Sequence, residues 1–129
     1  MIVRNIEEIK GSEREVTAEN DNWISRRLLL KRDGVVFSLS ETIIYEGTET
    51  YIWYKNHVEA VYCIEGEGEV ELVDNNKVYN ITPGTLYVLN KHEKHLLRAK
   101  KRMRLVCVFN PPLVGSEVHQ EDGSYPLIE

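Results

Sequence analysis

The sequence predicts an all-β protein, one barrel or sandwich with one or two short helices. Three observations carry this. Short runs of alternating apolar and polar residues recur along the chain, the pattern of half-buried strands. Clusters of Gly, Pro, Asn and Asp separate these runs, as the turns of barrels and sandwiches do. Helical patterning is confined to a short stretch near the N-terminus. A length of 129 residues suits a single domain, residues 1–129, because a chain of this size buries roughly two-thirds of its unfolded surface and needs no staples.

The elements follow in order. Met1–Arg4 reads as a short strand able to add to a partner's sheet edge. Asn5–Lys10 suits one or two helical turns, with Asn5 as N-cap and Gly11 closing them. Ile24–Leu30 fits either helix or strand and is assigned as strand after a loop. Val35–Thr42 alternates, setting Phe37 and Leu39 against Val36, Ser38 and Ser40. Ala60–Ile64 is an apolar run, ended by Glu65-Gly66-Glu67-Gly68, whose glycines supply the positive φ of a tight turn. Glu69–Val73 and Lys77–Ile81 flank the hairpin turn Asp74-Asn75-Asn76. Thr82-Pro83-Gly84 makes a further turn, with proline fixing φ. Leu86–Leu89 and Met103–Phe109 are strands, and Leu105, Cys107 and Phe109 share one face of the second. From Asn110-Pro111-Pro112 onward the chain reads as an arm, residues 110–129, anchored by Leu113, Val118, Tyr125 and Leu127.

Composition narrows the function. Apolar residues make up 42% and charged residues 29%, ordinary for a globular domain. Sixteen basic against 21 acidic residues give a net charge of −5, which disfavours nucleic acid or an anionic membrane as partner. The basic run Arg98–Arg104 reads as a solvated strand edge. No stretch has the length of a signal peptide's apolar core or of a membrane span. Cys63 and Cys107 lie inside apolar runs, so reduced thiols and a cytoplasmic location are expected.

Two segments carry chemistry. In the first, Gly47, Trp53, Lys55, Glu59 and Gly66 are spaced as a glycine, two histidines, a glutamate and a glycine are in the cupin superfamily. In the second, Gly84, Asn90, His92 and His95 fall at the glycine, proline, glycine and histidine positions of that frame. The frame resembles a cupin, a jelly-roll-like β-barrel, with the Glu59 and His95 ligands kept and two histidines replaced by Trp53 and Lys55. Two ligands do not make a tight metal site. Strand alternation puts Thr85, Tyr87 and Leu89 on one face, so Tyr87 is either a third, oxygen ligand suited to iron or a core aromatic with a satisfied hydroxyl. His57 stands two residues from Glu59, and His92 reads as a turn residue before His95.

Longer strings are more specific. Thr17–Trp23, Tyr54–Glu71, Lys91–Ala99, Met103–His119 and Glu121–Leu127 closely resemble the ectoine synthase family over essentially the whole chain. The resemblance implies a single-domain cupin, a homodimer, and closure of N-γ-acetyl-L-2,4-diaminobutyrate into the compatible solute ectoine with loss of water. It implies an iron cofactor, ferrous iron favoured, held by Glu59, Tyr87 and His95. It implies a substrate pocket of Trp23, Arg27, Ser40, Thr42, Cys107, Phe109 and His119, with Tyr54, His57 and Glu117 as candidates for proton transfer. A larger polar side chain is expected at the position of Ser40.

The chemistry fits such a set. The α-amine must attack an amide carbonyl, a poor electrophile that a Lewis acid polarises. The amine must be neutral, which calls for a base. Arg27 suits a bidentate grip on the substrate carboxylate, Trp23 and Phe109 an apolar wall that folds the linear substrate, and an arm carrying Glu117 and His119 a cap over the barrel mouth that excludes water. The alternative is a metal-free cupin that binds or senses a small molecule, which predicts neither iron nor turnover.

Overall fold

The computed structural model describes residues 1–128; Glu129, the last residue of the expected arm, lies outside them. A helical turn, α1 (Ile6–Ile9), precedes eight strands: β1 (Glu15–Thr17), β2 (Trp23–Leu29), β3 (Ser38–Ile44), β4 (Glu49–Ile52), β5 (Val58–Leu72), β6 (Val78–Ile81), β7 (Leu86–Leu89) and β8 (His95–Asn110). A single 3₁₀ turn, Lys31–Asp33, links β2 to β3. Asn5 caps α1 as its sequence predicts, its side chain accepting from Glu7 N–H.

All pairings are antiparallel, in the order β1-β2-β3-β8-β5-β6, with β4 added on β8 and β7 on β5. The long strands β5 and β8 organise the fold. The first part of β5 pairs with the end of β8 and with β7; its second part pairs with the start of β8 and with β6. β8 likewise carries β4 on its first part and β3 on its second. The two halves close over one core that joins Val61, Leu105 and Phe109 to Ile52, Val70, Ile81 and Leu97, the jelly-roll-like arrangement expected. The pairing path remains open between β1 and β6.

The junction of the halves corrects one expectation. Glu65-Gly66-Glu67-Gly68 is not a chain reversal but part of β5, where the register against β8 shifts repeatedly between Cys63 and Gly68. The glycines serve close approach. A Cβ on Gly66, whose φ is +96°, would stand 2.2 Å from Arg102 O, and one on Gly68 2.2 Å from Arg98 O. Glycine-bearing bulges let a strand bend across its partner without breaking the ladder.

Other expectations shift too. Met1–Arg4 forms no strand; Met1 and Val3 are exposed, and the Arg4 guanidinium is held by Leu28 O and Asp33. β3 starts at Ser38, later than alternation suggests, and it turns Ser38 and Ser40 inward while Leu39 is half-buried. β1 and β4 are not anticipated by the sequence; β1 has three residues, and β4 alternates buried and exposed positions over only four. The arm after Asn110 has no strand or helix, yet it is packed: Leu113 and Tyr125 join the core and Val118 lies against it. Leu127 is 51% exposed and anchors nothing. No helix among the described residues is long and apolar enough to cross a membrane.

Candidate active site

The site forms where the inward faces of five strands meet at one end of the roll. Period-two alternation sends Trp23 from β2, Thr42 from β3, Glu59 from β5, Tyr87 from β7, and Cys107 and Phe109 from β8 to one cavity. Tyr54 from the β4–β5 connection and His119 and Tyr125 from the arm complete its wall. The cavity holds about 30 Å³. Of the expected residues, Arg27, Ser40, His57, His95 and Glu117 do not line the cavity but are buried around it.

The expected metal ligands differ in environment from ordinary core residues. His95 is fully buried, and its Nδ1 lies 3.0 Å from Glu93 O. A backbone carbonyl only accepts, so Nδ1 carries the proton and Nε2 keeps its lone pair. That Nε2 is buried and has no hydrogen-bond partner. A histidine whose other nitrogen is fixed by a carbonyl is how proteins present imidazole to a metal. Glu59 is buried, which pushes its carboxyl up to about 8. Burial, then the Glu59 charge, drives the Tyr87 phenol upward as well. Burial disfavours the charged forms of these two oxygen donors, and His95 offers a bare imidazole nitrogen; a hard cation would supply the charge that lets both donors ionise. The residues present therefore fit an iron site.

An aromatic lining faces these donors. Tyr54 meets Phe109 edge-on at 5.1 Å, Trp23 meets His119 at 5.4 Å, and Tyr125 stacks on His119 at 4.7 Å between centroids. The Tyr54 hydroxyl is 2.8 Å from His119 Nε2. Burial, reinforced by His95 and Arg27, pushes His119 down to about 3, so its ring is neutral at ordinary pH. His57 is also lowered by burial, and its Nδ1 has no partner. His92 sits in the turn expected of it, at φ +55°, with its Nδ1 2.7 Å from Tyr54 O. It thereby ties the β7–β8 turn to the backbone of a wall residue.

Arg27 and Glu117 are occupied otherwise than the sequence suggests. Arg27 is 1% exposed and donates to Gly115 O at 3.0 Å, Glu117 O at 2.7 Å and Ser25 Oγ at 3.2 Å. The Glu117 carboxylate accepts from Val114 N–H at 2.7 Å and Gly115 N–H at 2.8 Å. Both groups fold and fasten the arm. Ser40 lies inward opposite Arg27 on β2 and opposite Cys107 on β8. Burial and the Glu59 carboxylate drive the Cys107 thiol upward, so it stays protonated.

Sequence reasoning missed Tyr125 as a site residue, treating it only as an anchor. The available signal was the Asp122-Gly123-Ser124 turn directly before it. It also missed Ser25, which the alternation from Trp23 to Arg27 places at the cavity.

Known proteins agree with this architecture. A family model described as ectoine synthase matches residues 1–129. An L-ectoine synthase of Desulfatibacillum aliphaticivorans is 59% identical over 129 residues, covering 100% of this chain and 99% of its own. The crystal structure of ectoine synthase from P. lautus superposes with a TM-score of 0.88 at 59% identity, over 99% of this chain and 91% of the other. An RmlC-like cupin from Shewanella frigidimarina shares the fold alone, with a TM-score of 0.62 at 18% identity over 75% of this chain and 83% of its own. Matched end to end in sequence and in structure, the chain belongs to the ectoine synthase family.

Proposed function

We propose that this protein closes N-γ-acetyl-L-2,4-diaminobutyrate into ectoine with loss of water, and that it carries ferrous iron on Glu59, Tyr87 and His95. The observation that carries the metal reading is the bare, buried Nε2 of His95, together with Glu59 and Tyr87 lining the cavity whose wall residue Tyr54 packs against His95. When bound, the metal would supply Lewis acidity toward an amide carbonyl.

The chain's own residues account for the rest. Trp23, Tyr54 and Phe109 give apolar faces against which the substrate's carbon chain folds, bringing its amine onto its own carbonyl carbon; such ring-closing geometry contributes several kcal/mol in favourable intramolecular cases. His57 stays neutral and its Nδ1 has no partner, but it stands behind the cavity wall, so it would take the attacking amine's proton through a water or a wall residue. The Tyr54 hydroxyl, at rest bonded to His119 Nε2, can turn its proton to the departing oxygen and be reprotonated by a proton lost from the substrate's nitrogens, so that both hydrogens of the released water come from the substrate. Glu117 is committed to the arm's backbone and takes no proton in this scheme. Arg27 acts through the arm that it holds.

The arm covers a cavity of about 30 Å³, whereas small-molecule pockets usually hold about 300 Å³ or more. Displacement of the arm would enlarge this space for the substrate and its return would exclude water, which matters because the reverse reaction is hydrolysis. We further propose a homodimer in the cytoplasm serving osmotic protection. Its support is a continuous outer apolar face in which Tyr62 lies between Leu86 and Val106, and Ala60 between Val88 and Val108, beside exposed Met1 and Ile2.

Incubation of iron-loaded protein with the acetylated diaminobutyrate, followed by NMR, tests the reading. Ectoine formation is expected. Its absence under reducing, iron-replete conditions would favour a metal-free binding module.

A further inference from the structure

Five residues of the arm form a tight reversal. Gln120 N–H donates to Ser124 O at 2.8 Å and Gly123 N–H to Gln120 O at 2.9 Å. The reversal sets the residues on either side of it, His119 and Tyr125, face to face, with ring centroids 4.7 Å apart and an interplanar angle of 17°. It is seated on the β4–β5 connection by three contacts. Trp53 N–H donates to Gly123 O, Lys55 Nζ pairs with Asp122, and Asn56 Nδ2 donates to Tyr125 O. Gly123, at φ +82°, leaves no room for a side chain: a Cβ there would lie 2.9 Å from the Tyr51 ring and 3.0 Å from Trp53 N. Trp53 and Lys55 are the positions at which a cupin would carry histidine ligands.

Tyr125 lines the cavity but is packed against three other groups of the site. One side stacks on His119, and the Arg27 guanidinium lies 5.7 Å from its centroid. Its ring packs at a tilt against Tyr54, with centroids 4.9 Å apart. It thus touches both members of the Tyr54–His119 pair and the residue that fastens the arm. We propose that Tyr125 is a positioning residue that holds the His119 imidazole toward the Tyr54 hydroxyl, and that the Gln120–Ser124 reversal, latched on Trp53, Lys55 and Asn56, sets it in place. This rests on the function proposed above only for its kinetic consequence. The two positions that no longer carry histidine ligands now secure the arm that completes the site.

The test uses the full chain and a readout that does not depend on turnover. The protein has four histidines, so its ring ¹⁵N–¹H resonances can be assigned one by one in protein kept free of paramagnetic iron. Tyr125→Phe keeps the ring stack and should leave the His119 resonance in place. Tyr125→Leu should shift or broaden the His119 resonance and lower kcat about tenfold or more, with KM moving less than about threefold. Lys55→Met, at a half-exposed site that does not threaten folding, should act in the same direction. The charge exchange Lys55→Asp with Asp122→Lys should restore part of the loss. An unchanged His119 resonance in both Tyr125→Leu and Lys55→Met overturns the proposal, whatever the activity. A shifted resonance in a protein whose wild type makes no ectoine leaves the positioning role standing and removes the assigned reaction instead.

Discussion

Tyr54 and His119 share a 2.8 Å hydrogen bond between Oη and Nε2, across the seam where the arm meets the β4–β5 connection. Burial pushes the phenol up and the imidazole down, the latter to about 3. Both groups are therefore neutral at physiological pH, and the phenol donates to the imidazole nitrogen. Two residues far apart in sequence act as one unit only when the arm is closed. Tyr54→Phe and His119→Ala should each lower kcat by about 100-fold, the common range for a proton-transfer group. The double variant should be little worse than the worse single one, since members of a unit are not additive. Steady-state kinetics on the three proteins decide this; fully additive losses would mean independent roles.

Removing the ligands should remove the iron. Alanine at Glu59, Tyr87 or His95 is expected to reduce bound iron, measured by elemental analysis after purification, together with cyclisation. A metal-free triple variant with full activity would rule out any role for a Lewis acid. Chelation of the wild-type protein should abolish turnover, and added ferrous iron should restore it.

Arg27 contributes to the arm rather than to an open ligand site. Arg27→Met removes two bonds to backbone carbonyls and leaves the Glu117 carboxylate without its cation 3.7 Å away. A loss of about 3 kcal/mol in denaturant midpoint experiments is expected, with proteolysis concentrated after Asn110. A variant that keeps its stability but raises KM alone would restore the substrate-gripping role that the sequence suggests.

Gly66→Ala should be severely destabilising. Its Cβ would meet the Arg102 backbone at 2.2 Å in a residue held at φ +96°. Overpacking against backbone and positive-φ strain act together, for roughly 2–4 kcal/mol. Thermal unfolding measures it; a change under about 0.5 kcal/mol would show that the β5 bend relaxes freely.

Asp33 makes stability acid-sensitive. The Arg14 guanidinium first, then Leu30 N–H and Arg4, hold its carboxyl well below the usual carboxylate range, against an opposing effect of burial. Because the folded value lies below the unfolded one, near 4, this stabilisation is fully present above about pH 5 and is lost as pH falls through the folded value. Asp33→Asn should be less stable than wild type at pH 7, and the gap should narrow below about pH 4. Urea denaturation at pH 7 and pH 3 checks the sign; a gap that widens in acid would contradict it.

Strand identity was largely legible because alternation is local. β6, β7 and the later part of β8 each present an alternating or apolar run whose meaning needs no partner, whereas β2 fits either helix or strand and is settled only by its pairing with β1 and β3. The spacing from Glu59 to Gly66, and the place of His95 after Gly84, were legible for the same reason. The glycines after Ile64 were misread because a bulge in a paired strand and a chain reversal ask the same of a backbone, namely positive φ and no side chain. Only the partner strand, whose carbonyl oxygens would stand 2.2 Å from a Cβ on either glycine, distinguishes them.

By itself, the sequence determined an all-β domain, a frame that turns Glu59 and His95 inward, and, through long matching strings, the family. The tertiary structure decided what the inward residues do. It left His95 Nε2 bare, it turned Arg27 and Glu117 from the pocket to the arm, and it brought Tyr125 beside His119. The reason is physical: alternation assigns a face within one strand, but the groups that meet on that face come from strands and loops paired at long range, and their partners decide which polar atoms remain free for chemistry.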